Sequence, residues 1–105
     1  VACDRMRIAQ AVMNLVSNAH QHGDRKTPIQ ISLARGVDAV TIAVANRGQM
    51  IDPDRLTTIF EPYQRSGKGL GLGLYIISEI ARAHGGRVDA TSTAEHTTFQ
   101  LTLPV

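Results

Sequence analysis

The chain has 105 residues, 43% hydrophobic and 19% charged, with 11 basic residues against 9 acidic for a formal charge of +2. This is one domain's worth of sequence, residues 1–105, and the composition excludes disordered and fibrous classes. No apolar run reaches the roughly 18 to 20 residues of a membrane span. The lone cysteine, Cys3, excludes a disulfide framework and a cysteine-rich zinc site, so a reducing, cytoplasmic setting is expected. The arginines are scattered from Arg5 to Arg87 without a run, and the aromatic residues are two Phe and two Tyr. Neither a basic arm nor a base-stacking platform is legible, and nucleic acid is not an expected partner. The chain opens on valine with no signal-peptide pattern and reads as a piece of a longer protein.

Asp4 is placed to cap a helix running to about His20, with Ile8, Val12, Leu15, Val16 and Ala19 on one face. His22-Gly23-Asp24 stops it. Ile29 to Arg35 and Ala39 to Asn46 alternate apolar and polar around Gly36-Val37-Asp38, which predicts a hairpin. Asp52-Pro53 opens a short helix. A glycine-rich stretch from Gly67 to Gly73 runs into a second long helix, whose Leu74, Ile77, Ile80 and Ala81 face inward before His84-Gly85-Gly86 ends it. Arg87 to Thr93 and Thr97 to Leu103 form a last hairpin, with Phe99, Leu101 and Leu103 on one face. Two hairpins and two amphipathic helices predict an α+β fold: a two-layer sandwich whose mixed or antiparallel sheet carries helices on one face.

Three features break the local rules. Gln10, Asn14, Asn18 and Gln21 form a stripe on the first helix where a solvated face usually carries charged residues of better helix propensity. Counting by twos from Val40 turns Asn46 to the buried face of its strand, where an amide needs partners. The alternative there is a turn-forming asparagine before Gly48. Gly67-Lys68-Gly69-Leu70-Gly71-Leu72-Gly73-Leu74 exposes successive N–H groups ahead of a helix start. That arrangement favours phosphate, with Arg65 and Lys68 as countercharges, the alternative being a flexible linker. It fits neither G-x-x-x-x-G-K-[ST] nor a G-x-G-x-x-G turn.

Together these segments resemble the ATP-binding catalytic domain of sensor histidine kinases, in the superfamily that also holds gyrase, the heat-shock ATPases and the mismatch-repair ATPases. Arg7-Ile8 through Asn14-Leu15-Val16-Ser17-Asn18-Ala19 is similar to the N box, and Val44-Ala45-Asn46-Arg47-Gly48-Gln49-Met50-Ile51 to the first glycine box. Ile59-Phe60-Glu61-Pro62-Tyr63 resembles the F box, and Gly69-Leu70-Gly71-Leu72-Gly73-Leu74 the second glycine box. The resemblance implies a Bergerat-type fold and ATP with Mg²⁺ as cofactors. It places Asn18 as the metal ligand, Asn14 beside the phosphates, and both as the catalytic residues. His22 would lie near base or ribose, Asn46 and Gly48 at adenine together with Ile51, and Phe60 at the anchor of a lid. Arg65, Lys68, Gly69, Leu70, Gly71, Leu72 and Gly73 would hold the phosphates, the lid between Tyr63 and Gly69 ordering on nucleotide binding.

The implied activity is that of a protein-histidine kinase. Its implied partners are the dimerisation and phosphoacceptor helices of a homodimeric parent and a response regulator, with no membrane contact by this domain. Asn14 stands where the hydrolytic branches carry a water-activating glutamate, which points to phosphoryl transfer. Four positions depart from the commonest pattern: Asn46 for aspartate, Met50 for glycine, Gln21 for lysine, and Glu95-His96 for G-x-G. They leave two readings: a branch resembling bacteriophytochrome-like kinases, or a degenerate docking module.

Overall fold

A computed structural model describes residues 4–22, 26–48, 50–61 and 73–104. The chain runs α1 (Arg5–His22), β1 (Gln30–Arg35), β2 (Ala39–Asn46), α2 (Pro53–Leu56), α3 (Gly73–Ala83), β3 (Arg87–Ser92) and β4 (Thr97–Pro104). The four strands form one sheet in the order β1-β2-β4-β3. Every strand pairing within it is antiparallel, the narrower of the two expected arrangements. Helices α1 and α3 lie side by side, α1 over β2 and α3 over β3 and β4. Among the described residues no helix is long and apolar enough to cross a membrane.

Asp4 starts α1 as expected: its Oδ1 accepts the N–H groups of Met6 and Arg7 at 3.1 and 3.2 Å. These are donors that the helix itself leaves without partners. Replacing Asp4 by alanine is expected to lower stability by about 1 kcal/mol, read as a fall of roughly 5 °C in a thermal melt. The inward face of α1 is Ala11, Leu15 and Ala19, all but inaccessible, while Ile8 and Val16 pack at its margin. Ala11 is an addition to the expected face, because a small residue one turn before Leu15 lets α1 approach its neighbours closely. Ile77, Ile80 and Ala81 of α3, Val44 of β2, and Phe99, Leu101 and Leu103 of β4 complete the core with Ile59. Leu74 is only partly buried.

The end of α3 is set by His84-Gly85-Gly86. The N–H of Gly86 donates to Ala81 O at 2.8 Å and that of Gly85 to Arg82 O at 3.0 Å. Gly85 adopts a φ of 76°. These are the paired bonds and left-handed residue of a glycine-terminated helix. His84 also ties the two helices together, its Nε2 accepting the backbone N–H of Asp4 at 3.1 Å and its Nδ1 lying 2.8 Å from Ile80 O. The two bonds need a proton on Nδ1 and a bare Nε2. His84 is therefore a cap, as a neutral ring rather than the cation that a helix end would favour.

This tie gives the molecule two distinct ends. β3 leaves α3 at Arg87, opposite Thr102, so the end of α3 and the start of α1 share one end. The last residue of β2, Asn46, faces Thr97 at the other. There β1 begins, Gln30 opposite Ala45, so the chain leaving α1 arrives at that second end, toward which α3 presents its first turn. β1 is exposed along its whole length, with Ile31 and Leu33 on the same face as Val44 and Ile42 but outside the reach of either helix.

Candidate functional site

The helix-covered face of the sheet is apolar until its last row. Asn46 on β2, Thr97 on β4 and Ser92 on β3 stand directly opposite one another in register, so they share that face. Asn46 is 8% and Thr97 4% exposed, and they are the only buried polar residues among those described. Asn46 Nδ2 donates to Arg47 O at 3.2 Å, a local bond of the kind expected at a strand end. That bond leaves Oδ1 as an acceptor which no described residue engages. Ser92 and Thr97 bring their hydroxyl oxygens to 2.7 Å, and the backbone N–H of Ile51 donates to Ser92 Oγ at 2.8 Å. The segment after β2 is thereby pinned across the sheet to β3.

Around this row stand the other expected residues. Gly48 and Ile51 are half-buried and Met50 exposed. Phe60 packs edge-to-face on Phe99, ring centroids 6.1 Å apart and planes at 88°, which anchors the residues after α2 to the core. On α1 the predicted stripe divides: Gln10 and Gln21 are exposed, whereas Asn14 and Asn18 are half-buried beside Leu15 and Ala19. No described residue hydrogen-bonds to either amide, and no buried side-chain nitrogen or oxygen lacks a partner among the described residues. His22 is the last residue of α1.

Gly73 is the first residue of α3, with nothing within 4 Å of where a Cβ would stand. Arg65, Lys68, Gly69, Leu70, Gly71 and Leu72, together with the lid between Tyr63 and Gly69, lie outside the described residues. What the described part offers is a set of uncharged side chains: the half-buried amides of Asn14 and Asn18 on α1, and the amide and hydroxyls of Asn46, Thr97 and Ser92 on the sheet. Such a set suits a base edge and a hard cation better than proton abstraction. Thr97 and Ser92 were not among the expected site residues. Their signal was the alternation that turns Thr97 to the same face as Phe99 and Leu101.

A hollow of about 510 Å³ runs between Asp4 and Arg7 of α1 and the side of α3 from Tyr75 through Glu79 to His84. It contains none of the expected site residues.

The chain belongs to the family of histidine kinase-, DNA gyrase B- and HSP90-like ATPases, whose profile matches residues 3–105. That family is an ATP-binding domain. Its relatives there include proteins described as sensor proteins and as sensor histidine kinases. The chain is 40% identical over 109 residues to the bacteriophytochrome of Pseudomonas aeruginosa, covering 97% of itself and 15% of that protein. It is 43% identical over 106 residues to the sensor protein TorS of Escherichia coli, covering 97% of itself and 12% of the relative. Among solved structures, the catalytic domain of the histidine kinase ThkA superposes with a TM-score of 0.90 at 31% identity, over 99% of this chain and 70% of that one. The chain spans 15% and 12% of those two curated relatives.

Proposed function

We propose that this domain binds Mg·ATP at the end of the sheet marked by Asn46 and Thr97. It would present the γ-phosphate to a histidine on separate dimerisation helices of a cytoplasmic, homodimeric sensor kinase, from which a response regulator takes the phosphoryl group. The observation that carries this reading is the buried Asn46, whose Oδ1 no described residue engages, at the end of the sheet toward which α3 presents its first turn. Asn46 Oδ1 is an acceptor for an exocyclic amino group, and Gly48 leaves room for a flat ring. Asn18 offers a half-buried amide with no hydrogen bond to a described residue, and its oxygen would fit Mg²⁺, which takes few protein ligands and keeps several waters. The metal would neutralise phosphate charge. Asn14, one turn earlier, would orient the phosphates, and as an amide it cannot take a proton from water. This favours transfer over hydrolysis. The domain's contribution is then positioning and charge stabilisation.

Asn46 in place of aspartate keeps the acceptor and loses a charge. The difference between neutral and charged hydrogen bonds is about 1 kcal/mol, or somewhat under tenfold in affinity. Titration calorimetry with ADP and Mg²⁺ should therefore show binding that is weak but saturable below millimolar nucleotide. Absence of heat at millimolar ADP would overturn the reading. It would favour a degenerate docking module instead, for which Met50, 46% exposed where the family pattern has glycine, is the supporting observation.

A further inference from the structure

The chain has three methionines, and all of them are exposed: Met6 by 83%, Met13 by 67% and Met50 by 46%. Their places differ. Met6 and Met13 lie on α1, on the side turned away from Ala11, Leu15 and Ala19. Met50 belongs to the segment after β2 and stands where the family pattern has glycine. The next residue, Ile51, donates its backbone N–H to Ser92 Oγ at 2.8 Å, and Ser92 pairs with Thr97, which in turn faces Asn46. The backbone at Met50 is thereby held one residue from a point fixed to the end of the sheet. A position that glycine would leave bare carries a thioether there, partly sheltered and partly open to solvent.

A thioether is apolar, polarisable and flexible, and it packs well against aromatic rings. It is also open to oxidation. Hydrogen peroxide transfers one oxygen to the sulfur: the O–O bond breaks, an S–O bond forms, the sulfur gives up two electrons, and the other oxygen leaves as water. The product is a polar, chiral sulfoxide. A thiol-dependent reductase reverses the step, two thiols becoming a disulfide while the sulfoxide oxygen leaves as water. We propose that Met50 is a reversible oxidation site at the lip of the nucleotide site, and that its sulfoxide weakens nucleotide binding. The proposal rests on the nucleotide-binding reading above, which sets adenine against Gly48 and Ile51, on either side of this residue. A base laid there covers the Met50 side chain. Covering the thioether removes apolar surface from water, whereas covering the sulfoxide strips a strong acceptor of its hydration.

The test treats the domain with hydrogen peroxide, in a Cys3→Ser background that confines the chemistry to the methionines. The three methionine methyl signals are followed by NMR, and Mg·ADP affinity is measured by calorimetry before and after. All three should oxidise in the absence of nucleotide. Mg·ADP at about ten times its Kd should slow Met50 about tenfold, because only free protein reacts there, and should leave the rates of Met6 and Met13 unchanged. Full oxidation should weaken Mg·ADP binding about tenfold, and methionine sulfoxide reductase should restore it. A Met6→Leu/Met13→Leu protein should show the same fall. Met50→Leu should bind Mg·ADP equally before and after peroxide, whatever its starting affinity. The protection measurement needs no substitution at position 50, so it stands even if that variant does not fold. An oxidised Met50 with unchanged affinity overturns the proposal, as does a fall that persists in Met50→Leu or an oxidation rate at Met50 indifferent to Mg·ADP. Each of these leaves the nucleotide site standing. Protein that binds no Mg·ADP before peroxide overturns the underlying reading itself.

Discussion

Replacing Asn18 by alanine is expected to reduce Mg·ADP affinity to the level measured in EDTA, a loss of roughly ten- to a hundredfold. Its side-chain oxygen is read as the metal's protein ligand, so what disappears is the metal-dependent part of binding. The same substitution should leave the melting temperature unchanged or slightly raised. Asn18 is half-buried with no hydrogen bond to a described residue, and alanine is the better helix former by about 0.5 kcal/mol. Calorimetry with and without EDTA, alongside a thermal melt, separates the two effects. A variant that melts well below wild type would show that Asn18 holds α1 in place and would remove it from the site.

Gly86→Ala should be strongly destabilising. A Cβ at that position would drive into the Thr102 carbonyl and come within 3.1 Å of its carbon and 3.2 Å of Leu103 Cα. All three atoms are backbone of β4, paired on both sides in the sheet, so nothing flexible can give way. Overpacking of this kind costs about 3 kcal/mol or more, which in a domain of this size lowers the melting temperature by more than ~10 °C. The neighbouring Gly85→Ala provides the contrast. Its Cβ would meet only Pro104 Cγ at 3.5 Å, and the cost is that of a left-handed residue with a side chain, about 1 to 2 kcal/mol. Denaturant or thermal unfolding should rank the two variants in that order. Equal losses would mean that the close approach of α3 to β4 is not the constraint.

The elements were legible because each carries a strong local signal. Asp4, the alternation from Val40 to Asn46 and the Gly85-Gly86 stop set their ends to within a few residues, and the structure has both hairpins and both helices at those places. The candidate site was legible where one element suffices to define a residue's direction. Asn46 follows from strand parity and Asn18 from helical spacing. What escaped the sequence depends on register between distant segments. Ser92 meets Ile51 across 41 residues and His84 meets Asp4 across 80. Period and propensity along a single segment contain no information about either pairing. Spacing alone makes Gln10 and Asn18 equivalent on the α1 stripe. Only the position of the sheet and α3 distinguishes the sheltered amides from the exposed ones. The glycine-rich segment and its countercharges, Arg65 and Lys68, lie outside the described residues.

The tie between Asp4 and His84 bears on how the domain is joined to anything larger. Asp4 begins α1 at that end, and Pro104, paired with Ala39, closes β4 there too. Asp4 and Pro104 thus stand at one end of the sheet and Asn46 and Thr97 at the other, in a domain whose longest dimension is 36 Å. In the proposed kinase, an acceptor histidine would have to be brought to the end that holds Asn46, away from Asp4 and Pro104.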